Sequence, residues 1–103
     1  MQVIKHLEER IHEEIHDAKE YTKFAIEVKH EYPAVAHTAY TIATQELEHQ
    51  SMLHEQVVKL IEQHRREHGA PPAAMLAVYD FLHKQAIEKI ADVKRLMEIY
   101  KET

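Results

Sequence analysis

Several residue types are scarce or missing in this chain of 103 residues. It has no cysteine, which excludes disulfide bonds, thiol chemistry and zinc sites built from cysteine. One glycine and three prolines leave little material for tight turns or sheet. No apolar run approaches the roughly 18 residues of a membrane span, and the N-terminus lacks the continuous apolar stretch of a signal peptide. These absences predict a soluble, cytoplasmic protein without a membrane partner.

The charge balance narrows the choice of partner further. Eighteen acidic residues against thirteen basic ones give a formal net charge of −5. An acidic chain is a poor partner for nucleic acid or for an anionic membrane, so neither is expected. Ten histidines are many for this length. Because histidine is a common metal ligand, their number favours a metal site but also increases the chance of accidental motifs.

The fold class follows from what is abundant. Alanine, leucine, glutamate and lysine favour helix, so the chain is predicted to be all-α. Proline in E-Y-P at 31–33 and the glycine and prolines in H-G-A-P-P at 68–72 are typical of helix ends and restarts. They predict three helices, at about 3–30, 34–68 and 73–101, within one helical domain over 1–103. Short connections make neighbouring helices antiparallel.

The core-facing stripe of each helix is predicted from apolar residues at alternating spacings of three and four. On the first helix, the predicted stripe is Ile4, Leu7, Ile11, Glu14, Ala18, Tyr21, Ala25, Val28 and Tyr32. On the second, it is Val35, Ala39, Ile42, Glu46, His49, Leu53, Gln56 and Leu60. The third stripe runs from Leu76 to Tyr100 and is interrupted only by His83. Ionisable groups on a buried face need a partner or a metal.

Helix geometry predicts which of these groups meet. With Tyr32 as the turn, Glu14 lies 18 residues before it and His49 lies 17 after it. At 1.5 Å per residue, both are about 26–27 Å from the turn of an antiparallel pair. Glu46 is one helical turn from His49 and on the same face. The same measure places His83 level with 56–58, so it is not expected in this site.

Glu14, Ala18 and Tyr21 on one helix, followed by Glu46-x-x-His49 on the next, resemble the ferritin-like superfamily of carboxylate-bridged di-iron proteins. In that family each half of a four-helix bundle gives one Glu and one Glu-x-x-His pair. This chain carries one half only, which is similar to the encapsulated ferritins, whose short protomers dimerise. The resemblance covers roughly residues 7–60.

The resemblance implies a four-helix core formed on dimerisation, with two iron ions per dimer held by Glu14, Glu46 and His49 of each copy. Manganese and zinc are the alternative metals. Tyr21 and Asp17 would lie around the ligands. The implied activity is ferroxidase-like iron oxidation or oxidant handling. The chain ends in the helical I-Y-K-E-T instead of a tail that sends encapsulated ferritins to a shell, so a homo-oligomer outside a shell is expected.

Simpler interpretations of the same residues stay open. Glu-x-x-His also occurs at 9–12 and 13–16, mostly on a polar face, so the motif alone is weak. Glu46 with His49 would also serve as a hydrogen-bonded pair that fixes helix register, and Tyr21 as packing. The acidic residues at 8–9 are expected to be solvated. The alternative function is a metal-free helical homo-oligomer that acts as an interaction or adaptor protein.

Overall fold

A computed structural model describes residues 2–103, and over this range the chain contains three helices and no strand. Helix α1 spans Gln2–Val28, α2 spans Pro33–His68 and α3 spans Ala73–Glu102. The prediction of an all-helical chain with three helices is confirmed, and the helix ends differ from the predicted ends by at most two residues. None of these helices has an apolar stretch of the length that crossing a bilayer requires.

The two connections end and restart the helices through local backbone chemistry. Tyr32 takes a non-helical conformation (φ −132°, ψ 68°) before Pro33, which opens α2 with the fixed φ of a first helical residue. Gly69 ends α2 with φ 81°, a conformation that a side chain disfavours, and its N–H donates to the carbonyl of Arg65 at 3.0 Å. Both connections are four residues long, so each pair of consecutive helices is antiparallel.

Helix α1 packs against both other helices, and its contact with α2 is the more extensive one. Helices α2 and α3 meet mainly through stacked rings. Tyr40 stacks on Tyr100 with centroids 4.6 Å apart, and His54 stacks on His83 at 4.8 Å. Lys29 lies at the end of the molecule that holds Tyr40 and Tyr100, and its ammonium donates to the Tyr100 carbonyl. The result is a rod of 56 × 18 × 17 Å.

The buried stripes on α1 and α2 differ from the predicted ones. On α1 the buried residues are Ile4, Glu8, Ile11, Ile15, Ala18, Thr22 and Ala25. On α2 they are Ala36, Ala39, Ala43 and Val57. The prediction that Glu14, Tyr21, Glu46 and His49 belong to the buried stripe is therefore wrong, as is the expectation that Glu8 is solvated. On α3 the predicted positions Ala86, Val93, Met97 and Tyr100 are buried.

The shift on α1 has a physical cause, since this helix has two neighbours instead of one. Glu8 and Ile15 line small cavities whose other walls include α3 residues, whereas Glu14 lies beside α2. The most buried side chains of α1 therefore lie between its contact with α2 and its contact with α3. Thr22 is accommodated there because its hydroxyl donates to the Ala18 carbonyl at 2.7 Å.

The first testable prediction concerns this core. Ile15 is 1% exposed, so Ile15→Ala leaves a cavity and should lower the free energy of unfolding by about 2–5 kcal/mol. Ile87→Ala removes the same atoms from a side chain that is 53% exposed, and should cost less than about 1 kcal/mol. Urea unfolding followed by circular dichroism measures both. If both substitutions lower the free energy of unfolding equally, the placement of Ile15 in the core would be contradicted.

Candidate metal centre

Three side chains from two helices converge beside the α1–α2 contact. Glu14 comes from α1, and Glu46 and His49 come from successive turns of α2. The Nδ1 atom of His49 lies 3.4 Å from Oε2 of Glu14. Each residue offers one ligand atom, and these three atoms all lie within 4.8 Å of one another. The structure thus brings together the three residues that the sequence singled out.

The burial of this cluster differs from the expectation. The side chain of Glu14 is 26% exposed and that of His49 is 53% exposed. The cluster therefore lies at the edge of the α1–α2 contact and opens to one side. It does not face α3, because His54, which stacks on α3, lies five residues after His49 and so about 140° around the helix.

The two carboxyl groups strongly affect one another. A hydrogen bond with Glu14 raises the pKa of Glu46 to about 7, and burial and the charges of Glu14 and Asp17 act in the same direction. The His49 imidazole opposes this rise. Two carboxylates at this separation repel unless a proton or a cation lies between them. The raised pKa of Glu46 means that this carboxyl group gains a proton more readily than an isolated glutamate does.

The two residues expected around the ligands differ in their placement. Asp17 is exposed, and its charge reaches Glu46, as the shifted pKa of Glu46 indicates. Tyr21 is 40% exposed and lies two turns along α1 from Glu14. Its hydroxyl hydrogen-bonds to neither Glu14 nor Glu46 within a single protomer. Tyr21 therefore shares the helix face of Glu14 but makes no hydrogen bond to the carboxylates of the cluster.

A second cluster of ionisable side chains lies on the other side of the α1–α2 pair, and the sequence did not predict it. We call it the three-helix cluster: Glu8 of α1, His54 of α2 and His83 of α3. Glu8 is only 7% exposed, although it was expected to be solvated. One feature of the sequence could have indicated this cluster. Counting residues along the helices places His83 level with 56–58, two residues beyond His54.

Comparison of the chain with protein-family models, with curated proteins and with solved structures finds no match. The resemblance to ferritin-like proteins therefore depends on Glu14, Ala18, Tyr21, Glu46 and His49 themselves. What the site does has to be argued from the geometry and chemistry of these side chains.

The raised pKa of Glu46 makes a prediction for the metal-free protein. An acid whose folded-state pKa is raised stabilises the fold below its unfolded pKa, and loses that contribution as pH rises toward 7. Glu46→Gln keeps a neutral donor for Glu14 at every pH. In the presence of EDTA, it should raise the melting temperature at pH 8 by about 2–4 °C, corresponding to about 0.5 kcal/mol after discounting for solvent screening.

At pH 4, where Glu46 of the wild type is protonated, the same substitution should have almost no effect. The matched control is Glu48→Gln, which alters an exposed glutamate of the same helix. Differential scanning calorimetry measures all three proteins. A Glu46→Gln variant that is less stable than the wild type at pH 8 would contradict a repulsive carboxyl pair.

Proposed function

We propose that two copies of this chain bind two divalent iron or manganese ions in a ferritin-like site that both copies share. The observation that carries this proposal is the approach of Glu14, Glu46 and His49, whose ligand atoms lie within 4.8 Å of one another. Two carboxylates and one imidazole form the mixed oxygen and nitrogen donor set that suits iron and manganese.

The number of ligands supports a shared site. One protomer offers three protein ligands, which is few for one iron and insufficient for two. A second copy facing the first would supply four carboxylates and two imidazoles in total, the set found in ferritin-like di-iron bundles. Four carboxylate charges would then balance two divalent ions. The two carboxylates of a single protomer would balance only one divalent ion.

The surface around the cluster supports a partner of this kind. Tyr21 lies seven residues after Glu14, and Val35 lies eleven before Glu46, so both share a helix face with the ligands. Tyr21 is 40% exposed and Val35 is 48% exposed. Exposed apolar side chains on both helices favour burial against another apolar surface. A second copy of this face would provide one and would bring its own ligands into position.

The chemistry follows from the ligands. Two Fe(II) ions held close together would supply electrons to oxygen or peroxide, which is ferroxidase chemistry. The chain's own part is to bind and orient. Glu14 and Glu46 would hold or bridge the ions, and His49 would fix their position from the adjacent turn of α2. Before Glu46 can bind an ion it must release its proton, so binding should weaken below about pH 7.

A metal-free role is the second candidate. The pKa of Glu46, raised to about 7 beside Glu14, lets a proton reduce the charge of the cluster without an ion. In that case the exposed apolar face would bind a second copy or another helical protein, and the polar cluster would fix the register of the contact. Metal binding separates the two functions.

Anaerobic loading with Fe(II) is the direct test. The wild-type chain should retain about one iron per chain after desalting, which is two per dimer. Glu46→Ala and His49→Ala should each lose most of this iron, because each removes a ligand. On exposure to oxygen, the wild type should oxidise Fe(II) at least tenfold faster than either variant, as followed by the near-ultraviolet absorbance of Fe(III).

The controls use exposed residues of the same types on α2. Glu48→Ala and His37→Ala should retain the wild-type amount of iron, since neither lies in the cluster. If the wild type retains no iron or manganese, or if the cluster variants and the controls retain equal amounts, the metal-free role replaces the di-metal proposal.

The shared site also predicts the state of association. Val35→Arg places a charge on the face that carries the cluster and should weaken dimerisation at least tenfold in the presence of Mn(II). Val78→Arg is the matched control, because Val78 is 55% exposed on α3, away from this face. Sedimentation velocity over a range of concentrations measures both. A wild type that binds manganese as a strict monomer would contradict a shared site.

A further inference from the structure

The three-helix cluster joins one side chain from every helix. The rings of His54 and His83 stack with centroids 4.8 Å apart and planes inclined by 10°. Glu8 is close enough for its charge to interact with His83, and it is buried except for 7% of its surface. Together these residues offer two imidazoles and one carboxylate at the place where α1, α2 and α3 come together.

The surroundings of the cluster have room for a ligand. Glu8, His54 and His83 line a cavity of about 160 Å³, whose walls also include Ile11, Ala86 and Ile90. This volume holds an ion with a few water molecules. Both Glu8 and His54 are partly removed from solvent. This burial raises the pKa of Glu8 and lowers that of His54.

We propose that Glu8, His54 and His83 bind one divalent transition-metal ion, of the zinc class, within each protomer. Two histidines and one glutamate, with water in a fourth position, form a well-known zinc ligand set. This site is separate from the shared one, because it lies on the α3 side of the α1–α2 pair. The proposal does not depend on the function proposed for Glu14, Glu46 and His49.

Binding requires the ligand side chains to rearrange. The ligand atoms of this cluster lie farther apart than those of the first cluster, and the stacked rings present their faces to each other. Zinc–nitrogen bonds are about 2.0–2.1 Å long, so each ring has to turn its edge toward the ion. His83 is exposed, so its side chain has the freedom to do this.

Such an ion would change how α3 is held. Helices α2 and α3 have little direct contact apart from the two stacked ring pairs. An ion held by Glu8, His54 and His83 links all three helices at one point and binds the folded state in preference to the unfolded one. Zinc should therefore raise the melting temperature, and the rise should grow with zinc concentration.

The test removes the first cluster and asks what remains. A chain carrying both Glu46→Ala and His49→Ala is titrated with Zn(II) by calorimetry, and with Co(II) to record ligand-field absorption. We expect one ion per chain. Adding His83→Ala, His54→Ala or Glu8→Gln to this background should weaken binding at least tenfold and abolish the rise in melting temperature.

The matched control is His37→Ala in the same background, which removes an exposed histidine of α2 outside the cluster and should leave zinc binding unchanged. His83→Ala alters an exposed side chain, so the test survives even if Glu8→Gln or His54→Ala disturbs folding. Absence of zinc binding in the background chain would overturn the proposal. Binding that persists in His83→Ala would assign the ion to other histidines and would overturn it as well.

Discussion

Close approach of α1 and α2 is the constraint on which the rest of the molecule depends. Five alanines of these two helices are almost wholly buried: Ala18, Ala25, Ala36, Ala39 and Ala43. Helices that meet through such small side chains have their axes near the lower end of the usual 8–10 Å range. A short separation of this kind helps a glutamate on each helix to reach the other at the edge of the contact. Longer residues along this seam would move Glu14 and Glu46 apart.

The same close pair has two sides, and they are occupied differently. On one side, α3 covers the groove between α1 and α2, with Val93 and Met97 in the core. On the other side, no helix of the chain covers Glu14, Glu46 and their apolar neighbours within residues 2–103. A third helix on only one side explains why Glu8 is buried while Glu14, six residues later, remains partly exposed.

The sequence predicts the helices and the level of the site well, because both depend on chain length and turn residues. Pro33 and Gly69 mark the helix ends, and counting residues from the turn is enough to place Glu14 opposite Glu46 and His49. The buried stripe is a harder problem. On α1, the predicted and observed stripes share Ile4, Ile11, Ala18 and Ala25 and differ only at the alternate positions. The packing of α3 as a second neighbour of α1 decides which alternate positions are buried. The hydrophobic periodicity of one helix carries no information about this tertiary contact.

The proposed shared site lies at an open edge, where Glu14, Glu46 and His49 could meet the same residues of a second copy. Facing copies would bring four carboxylates together, and this repulsion opposes dimerisation unless protons or metal ions neutralise it. Metal binding and dimerisation would then be linked, each raising the affinity of the other by the same factor. Because the pKa of Glu46 lies at about 7, protons compete with the metal near neutral pH and act on the same linkage. The exposed apolar side chains favour association, while the carboxylates make it depend on the ion.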